Sequence, residues 1–184
     1  MRTFFKVVVF VFMAVVMSLP LTAAMAAPLH DAIKAGDLEK VKDLVSKGAD
    51  VNAKNADGLR PLQGAAFWGQ RAIAENLIAK GADVKAKGSD IGSPLHFAAL
   101  GGHQEVAELL IAKGADVDAK TSQGHTPLYF AVERGHRAVV ALLIAKSADV
   151  DAKNADNKKP LDQAKENGHD KLVEILEDAM ASSP

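Results

Sequence analysis

The even spacing of prolines constrains the fold of this chain more than any other feature. Pro28, Pro61, Pro94, Pro127 and Pro160 recur at one constant interval. A glycine series keeps the same step at Gly36, Gly69, Gly102, Gly135 and Gly168. Self-similarity at such a period is typical of repeat proteins, in which each unit is one small element that stacks on the next. Five units therefore account for nearly all of the chain after Ala26.

Each unit predicts two short helices, as the third unit illustrates. Its proline follows Ser93, a good N-cap residue, and occupies the first helical turn, where a missing N–H is not needed. Gly102 ends this first helix. The second helix, "HQEVAELLIAK", places Val106 and Leu110 on one face at helical spacing. Gly114 then supplies the left-handed residue at the helix end, and a hairpin-like loop leads to the next proline.

No unit of this size buries its apolar faces alone, so the stack needs polar end units. The first unit has Lys40 and Asp43 where the third has Val106 and Leu109. The fifth has Glu177 where inner units have isoleucine. We expect an all-α solenoid that stops at both ends, which favours a monomer and leaves the oligomeric state open. The expected units are 27–54, 55–87, 88–120, 121–153 and 154–184.

Two segments carry a resemblance to a known family. "SPLHFAALGGHQEVAELLIAKGADVDAK" (93–120) and "GHTPLYFAVERGHRAVVALLIAKSADVDAK" (124–153) closely resemble ankyrin repeats. The period, the TPLH-like start, the GH turn and the GADV segment all coincide. The resemblance implies a stack with a concave face, formed by the hairpin tips and the exposed side of the first helices. In that family this face usually binds other proteins.

Some units depart from the repeat pattern. Arg60 and Lys159 stand where Ser93 and Thr126 supply a capping hydroxyl in other units. The histidine of His30 and His96 is replaced by Gln63, Tyr129 and Asp162. Ser147 stands where other units have a glycine with positive φ, which costs about 1 kcal/mol. We expect these changes to loosen single units without threatening the fold.

The N-terminal segment up to Ala26 predicts a secretory signal peptide. "MRTFFK" carries Arg2 and Lys6, an apolar run extends from Val7 to Leu21, and Ala24 and Ala26 form a small-x-small pattern. An uncleaved anchor is the alternative, but a spanning helix needs about 20 residues, more than this run supplies. We expect cleavage near Ala26, a single repeat domain over 27–184, no membrane insertion after cleavage, and a periplasmic or secreted bacterial protein.

Composition and motifs argue against several activities. The net charge is −1, so no basic field favours nucleic acid, and the absence of cysteine excludes disulfides and thiol catalysis. No phosphate-binding loop, nucleophile elbow or zinc-protease motif occurs. His103, His136 and His169 are one repeat apart, too far for one metal ion, so we interpret them as turn residues. We expect no cofactor, no metal and no enzyme.

The positions that vary between units predict where a partner binds. The sixth and seventh residues after the prolines include the pair Phe67-Trp68, where other units have Leu100-Gly101 and Glu133-Arg134. Hairpin tips supply further candidates. The expected partner-binding residues are Asp57, Leu59, Phe67, Trp68, Asp90, Ile91, Leu100, Gln123, His125, Glu133 and Arg134.

An apolar centre bordered by charge is the usual arrangement of a binding patch. The alternative is that Phe67 and Trp68 simply cover the neighbouring unit, although adjacent helical residues cannot both point into one core. The sequence therefore favours a non-catalytic module that binds a protein or peptide. A protective or inhibitory partner of one enzyme or toxin is the second hypothesis, and an enzyme built on a repeat scaffold is the third.

Overall fold

The structure, a computed structural model, describes residues 25–86 and 92–182. Within these ranges all regular structure is helical, which confirms the predicted all-α class. The helices are α1 (Ala26–Ala35), α2 (Leu38–Ser46), α3 (Pro61–Phe67), α4 (Arg71–Ala79), α5 (Pro94–Gly101), α6 (Gln104–Ala112), α7 (Pro127–Glu133), α8 (Arg137–Ala145), α9 (Pro160–Glu166) and α10 (Asp170–Ala181).

The helices form five pairs that stack in chain order. The first helices α1, α3, α5, α7 and α9 pack side by side, and the second helices α2, α4, α6, α8 and α10 form a parallel row. Each proline from Pro61 onward is the first residue of its helix, as the spacing predicts. The solenoid of helix-turn-helix units is therefore confirmed.

Two repeated apolar positions build the core between units. An alanine lies at the same place in successive first helices, and Ala65, Ala98, Ala131 and Ala164 are fully buried. A small side chain there lets neighbouring first helices approach closely. The second helices contribute a leucine row, Leu77, Leu110, Leu143 and Leu176, which is also fully buried. Each such leucine stabilises the fold by about 1.5–3 kcal/mol, but only when the next unit is present to cover it.

The end units keep polar outer faces. Lys40 and Asp43 on α2 are exposed, and so is Glu177 on α10. The corresponding Val106 and Leu109 in the third unit are buried. The outer faces of the two end units thus carry charged, exposed side chains, as the sequence predicts.

Two of the residues that replace the repeat histidine retain its hydrogen bond at the start of the first helix. His96 Nδ1 accepts from the Ser93 backbone N–H at 3.2 Å. In the second unit Gln63 Oε1 accepts from the Arg60 N–H at 2.8 Å, and in the fifth Asp162 Oδ2 accepts from the Lys159 N–H at 2.9 Å. Gln63 and Asp162 therefore make the same bond as His96, whereas Arg60 and Lys159 supply no side-chain cap to their helices.

One aspartate that recurs at the same place in four units has a local structural role. In each of four units one aspartate carboxylate accepts from the backbone N–H two residues on, at 2.8 to 3.1 Å. These residues are Asp50, Asp83, Asp116 and Asp149. This geometry is an Asx turn, so the recurring aspartate shapes the loop that follows each of these second helices.

Three parts of the sequence interpretation lie outside the described residues. They are the leader up to residue 24, and Asp90 and Ile91 at the second hairpin tip. Within 25–86 and 92–182, none of the helices has the length and apolarity needed to cross a membrane.

Ser147 provides a test of the repeat pattern. Its φ is 62°, in the left-handed region where glycine is favoured, and Gly114 has φ 87° at the equivalent place. We expect Ser147→Gly to raise the free energy of unfolding by about 0.5–1 kcal/mol. The reverse change Gly114→Ser is the matched control, because an added side chain there meets no atom within 4 Å. Urea denaturation measures both; an unchanged or lower stability of Ser147→Gly contradicts the assignment.

Candidate protein-binding surface

The aromatic pair lies where α3 ends. Phe67 is the last residue of the helix and Trp68 is its C-cap. Trp68 is 46% exposed, and it is the single large apolar side chain that is exposed within the described ranges. Its ring meets the edge of the Phe67 ring at 4.9 Å between centroids, and Phe67 in turn contacts Phe97 at 6.5 Å. Phe67 therefore packs between Trp68 and Phe97, while part of the Trp68 ring is exposed to water.

An open groove of about 710 Å³ runs beside this pair. We call it the aromatic groove. Its lining residues are Leu59, Gly64, Phe67, Trp68, Phe97, Leu100, Gly101, His103 and Arg134. Most of these side chains are apolar, with a polar edge at His103 and Arg134. A concave apolar surface with few polar groups is the usual form of a binding site.

Two glycines line the groove, and they have different roles. Gly64 occupies the third position after its proline, where the next two units have Phe97 and Phe130. Gly101 occupies the seventh position, where the neighbouring units have Trp68 and Arg134. An added Cβ at Gly64 would meet only Ile33 Cγ2, at 3.6 Å, so the missing side chain leaves a hollow there. At Gly101 the same space is filled by His103 and the Phe67 carbonyl oxygen, so that glycine permits close packing instead.

The turn histidines hold the backbone of the variable positions. His103 Nε2 donates to the carbonyl oxygen of Phe67 at 2.9 Å, and His136 Nε2 donates to that of Leu100 at 3.1 Å. His169 approaches the carbonyl of Glu133 at 3.4 Å, and Asn167 donates to the same oxygen at 2.9 Å. The histidine ladder is thus a set of links between units, which agrees with its interpretation as a structural series.

Polar groups lie at both ends of the aromatic groove. On the side of the first unit, a hollow of about 300 Å³ shares Leu59, Gly64 and Trp68 with the groove and is also lined by Asp57. On the other side Arg134 borders a further hollow of about 430 Å³. Arg134 Nε lies 3.8 Å from Glu133 Oε2, a loose pair between largely exposed side chains. Such pairs contribute little to stability.

The structure brings together only part of the predicted set. Leu59, Phe67, Trp68, Leu100 and Arg134 line the aromatic groove. Asp57 lines the adjoining hollow, and Glu133 contacts Arg134. Gln123 is exposed on a later hairpin and lines none of these hollows in the described part of the chain.

His125 has an internal packing role. Its ring stacks on Tyr129 at 4.3 Å with an interplanar angle of 18°, and Asn154 Nδ2 donates to its Nε2 at 3.0 Å. Burial raises the pKa of Tyr129, so the phenol stays protonated and donates to Gln163 Oε1 at 2.6 Å. These contacts hold the fourth and fifth units together.

Sequence reasoning missed the third position after each proline. Phe97 and Gly64 both line the aromatic groove from that position. In the five units this position holds Asp31, Gly64, Phe97, Phe130 and Gln163. It therefore varies as strongly as the sixth and seventh positions. The same alignment by proline could therefore have identified it.

The described residues offer no metal centre. Within 25–86 and 92–182, no three histidine, aspartate or glutamate side chains lie close enough to hold an ion. The histidines of the ladder use their Nε2 atoms for backbone carbonyls.

A family model for ankyrin repeats, built as three copies, matches residues 29–121 and 95–182. Together these ranges span most of the sequence. The chain belongs to the ankyrin-repeat family. Ankyrin repeats indicate a protein–protein interaction module, and members of the family are typically non-catalytic. No curated protein matches the chain, so the nature of its partner must be inferred from the surface itself.

The two groove glycines should respond in opposite ways to alanine. At Gly64 an added Cβ meets only Ile33 Cγ2, at 3.6 Å. Gly64→Ala should therefore raise the free energy of unfolding by about 0.5–1 kcal/mol through helix propensity. At Gly101 the Cβ would lie 2.6 Å from the Phe67 carbonyl oxygen. Gly101→Ala should therefore lower the free energy of unfolding by about 1–3 kcal/mol.

Urea denaturation of the two variants checks this expectation, and each serves as the control for the other. Equal effects of the same sign would show that the groove is not shaped by these contacts. Gly64 lines the groove, so the methyl group that Gly64→Ala introduces tests binding in a variant that remains stably folded.

Proposed function

We propose that this ankyrin-repeat protein is a non-catalytic module that binds a protein or peptide in the aromatic groove. The observation that carries the proposal is the exposure of Trp68 beside a groove lined by Phe67, Phe97 and Leu100. These side chains occupy positions that vary between units, whereas the positions around them repeat. A module keeps its repeating residues for the stack and uses the variable ones for its partner.

The energetics of an interface support this choice of site. Tryptophan is enriched among the few residues that dominate binding energy, because its large ring loses much contact with water when a partner covers it. In the free protein nearly half of the Trp68 surface is in water, and the supporting Phe67 ring keeps its orientation. Little ordering cost is then left for the moment of binding.

We further propose that the protein is exported across the inner membrane and works in a bacterial periplasm or outside the cell. The support is the leader itself, with Arg2 and Lys6 before the apolar run and the small residues Ala24 and Ala26 after it. Mass spectrometry of the N-terminus of the protein recovered from the periplasm tests export. An uncleaved chain in the membrane fraction contradicts it.

Affinity capture from periplasmic extract tests the binding site. We expect Trp68→Ala to reduce recovery of the specific partner by about tenfold or more, since an interface tryptophan contributes about 2 kcal/mol or more in such sites, and about 1.4 kcal/mol corresponds to a tenfold change. Trp68→Phe should retain most of the binding. Because Trp68 is exposed, its removal should leave the melting temperature almost unchanged.

A remote surface variant, Lys113→Ala, controls for nonspecific loss of capture. Lys113 is exposed beyond the end of α6 and lines none of the hollows described above. Equal recovery of every partner by the wild type and by Trp68→Ala would exclude the aromatic groove as the binding site.

A further inference from the structure

The two ends of the aromatic groove differ in charge. Toward the fourth and fifth units Arg134 lines both the groove and the adjoining hollow of about 430 Å³, which is also lined by Arg137 and Lys171. Toward the first unit the other hollow is lined by Asp31 and Asp57, with Lys34 and His30 beside them. An occupant of the apolar centre therefore meets a cationic surface on one side and a mixed, slightly acidic surface on the other.

The cationic end is available to a partner. Arg137 forms no ion pair within residues 25–86 and 92–182. Arg134 holds Glu133 only loosely, at 3.8 Å, and Lys171 pairs with Glu174 at 2.9 Å on an exposed face. Asp170 is the one carboxylate among the described residues that line this hollow. Exposed pairs of this kind are weak, so a carboxylate of a partner can replace them at little cost.

Resting on the proposed function, we propose that the aromatic groove recognises an extended protein segment that carries an apolar side chain and, a few residues away, an acidic one. The apolar side chain occupies the groove between Trp68 and Leu100. The carboxylate lies against Arg134 and Arg137. Neighbouring first helices are about 8–10 Å apart and an extended chain advances about 3.3 Å per residue, so the two side chains are about three residues apart.

The charge difference also sets the direction of the bound segment. In the opposite orientation the carboxylate would lie beside Asp31 and Asp57, where like charges repel. Across interfaces such repulsion acts mainly on the choice of partner and on the rate of association. The apolar centre selects against a small inorganic anion, because phosphate offers no apolar group to cover Trp68.

Selection from a random dodecapeptide library displayed on phage tests the proposal. The library is panned on the wild-type protein, on the double variant Arg134→Glu/Arg137→Glu, and on the matched double control Lys80→Glu/Lys113→Glu. The control reverses two exposed lysines that line none of the three hollows. Melting curves by circular dichroism verify that each variant is folded.

We expect the wild type and the control to enrich peptides with an aromatic or leucine residue and an aspartate or glutamate about three positions away. The double variant should prefer lysine or arginine at that position. A selected peptide, labelled with fluorescein, should bind the double variant about tenfold more weakly than the wild type in an anisotropy titration. Its affinity for the wild type should fall with added salt. Trp68 is the only tryptophan of the chain, so a shift of its emission places the peptide in the groove.

Two results separate this inference from the proposed function. Apolar enrichment without any preference for acids, or with a preference for bases, overturns the inference and leaves the groove as a binding site. If Trp68→Ala binds the selected peptides as tightly as the wild type, the site itself is wrong, and the inference fails with it.

Discussion

The structure depends on hydrogen bonds that tie a side chain of one unit to the backbone of its neighbour. One series lies at the start of the first helices. Gln63 Nε2 donates to the Gly92 carbonyl at 2.6 Å and His96 Nε2 donates to the His125 carbonyl at 3.1 Å, both with buried side chains. Buried polar groups of this kind are costly unless paired. Each bond therefore demands that the next unit be present in one register, which apolar packing of alanine and leucine rows alone would not require.

The second series, formed by the turn histidines, links this register to the aromatic groove. The carbonyl oxygens that accept from His103 and His136 belong to Phe67 and Leu100, which are themselves groove residues. The side chain at such a position is free to differ between units because its own backbone is held by a residue of the next unit. Constant residues thus fix the backbone, and variable residues determine what that backbone presents. This division allows one scaffold to serve different partners.

The sequence predicted the fold well because the repeat states the same local information several times. Proline at the helix start, glycine after the first helix and the apolar spacing of the second helix agree in every inner unit, so a departure at a single residue matters little. The groove was less predictable. Trp68 and Phe67 stand out as variable positions, but the hollow beside them arises from the missing side chain of Gly64 and from Phe97 in the next unit. The shape of this surface depends on three units together. The role of His125 was unpredictable for the same reason, since its ring contacts Tyr129 of its own unit and Asn154 of the next.

The groove is also where this chain departs from what stability alone favours. A glycine in the middle of a short helix weakens it by about 1 kcal/mol relative to alanine, and Gly64 has room for the missing methyl, with only Ile33 Cγ2 at 3.6 Å. An exposed tryptophan adds apolar surface that water disfavours. Ser147, with φ 62°, also departs from local preference, but it lines none of the hollows described above. Local violations of these rules concentrate at functional sites in natural proteins. Gly64 and Trp68 border the same hollow, so these two departures lie on one surface, and the partner that we propose for the aromatic groove would account for both.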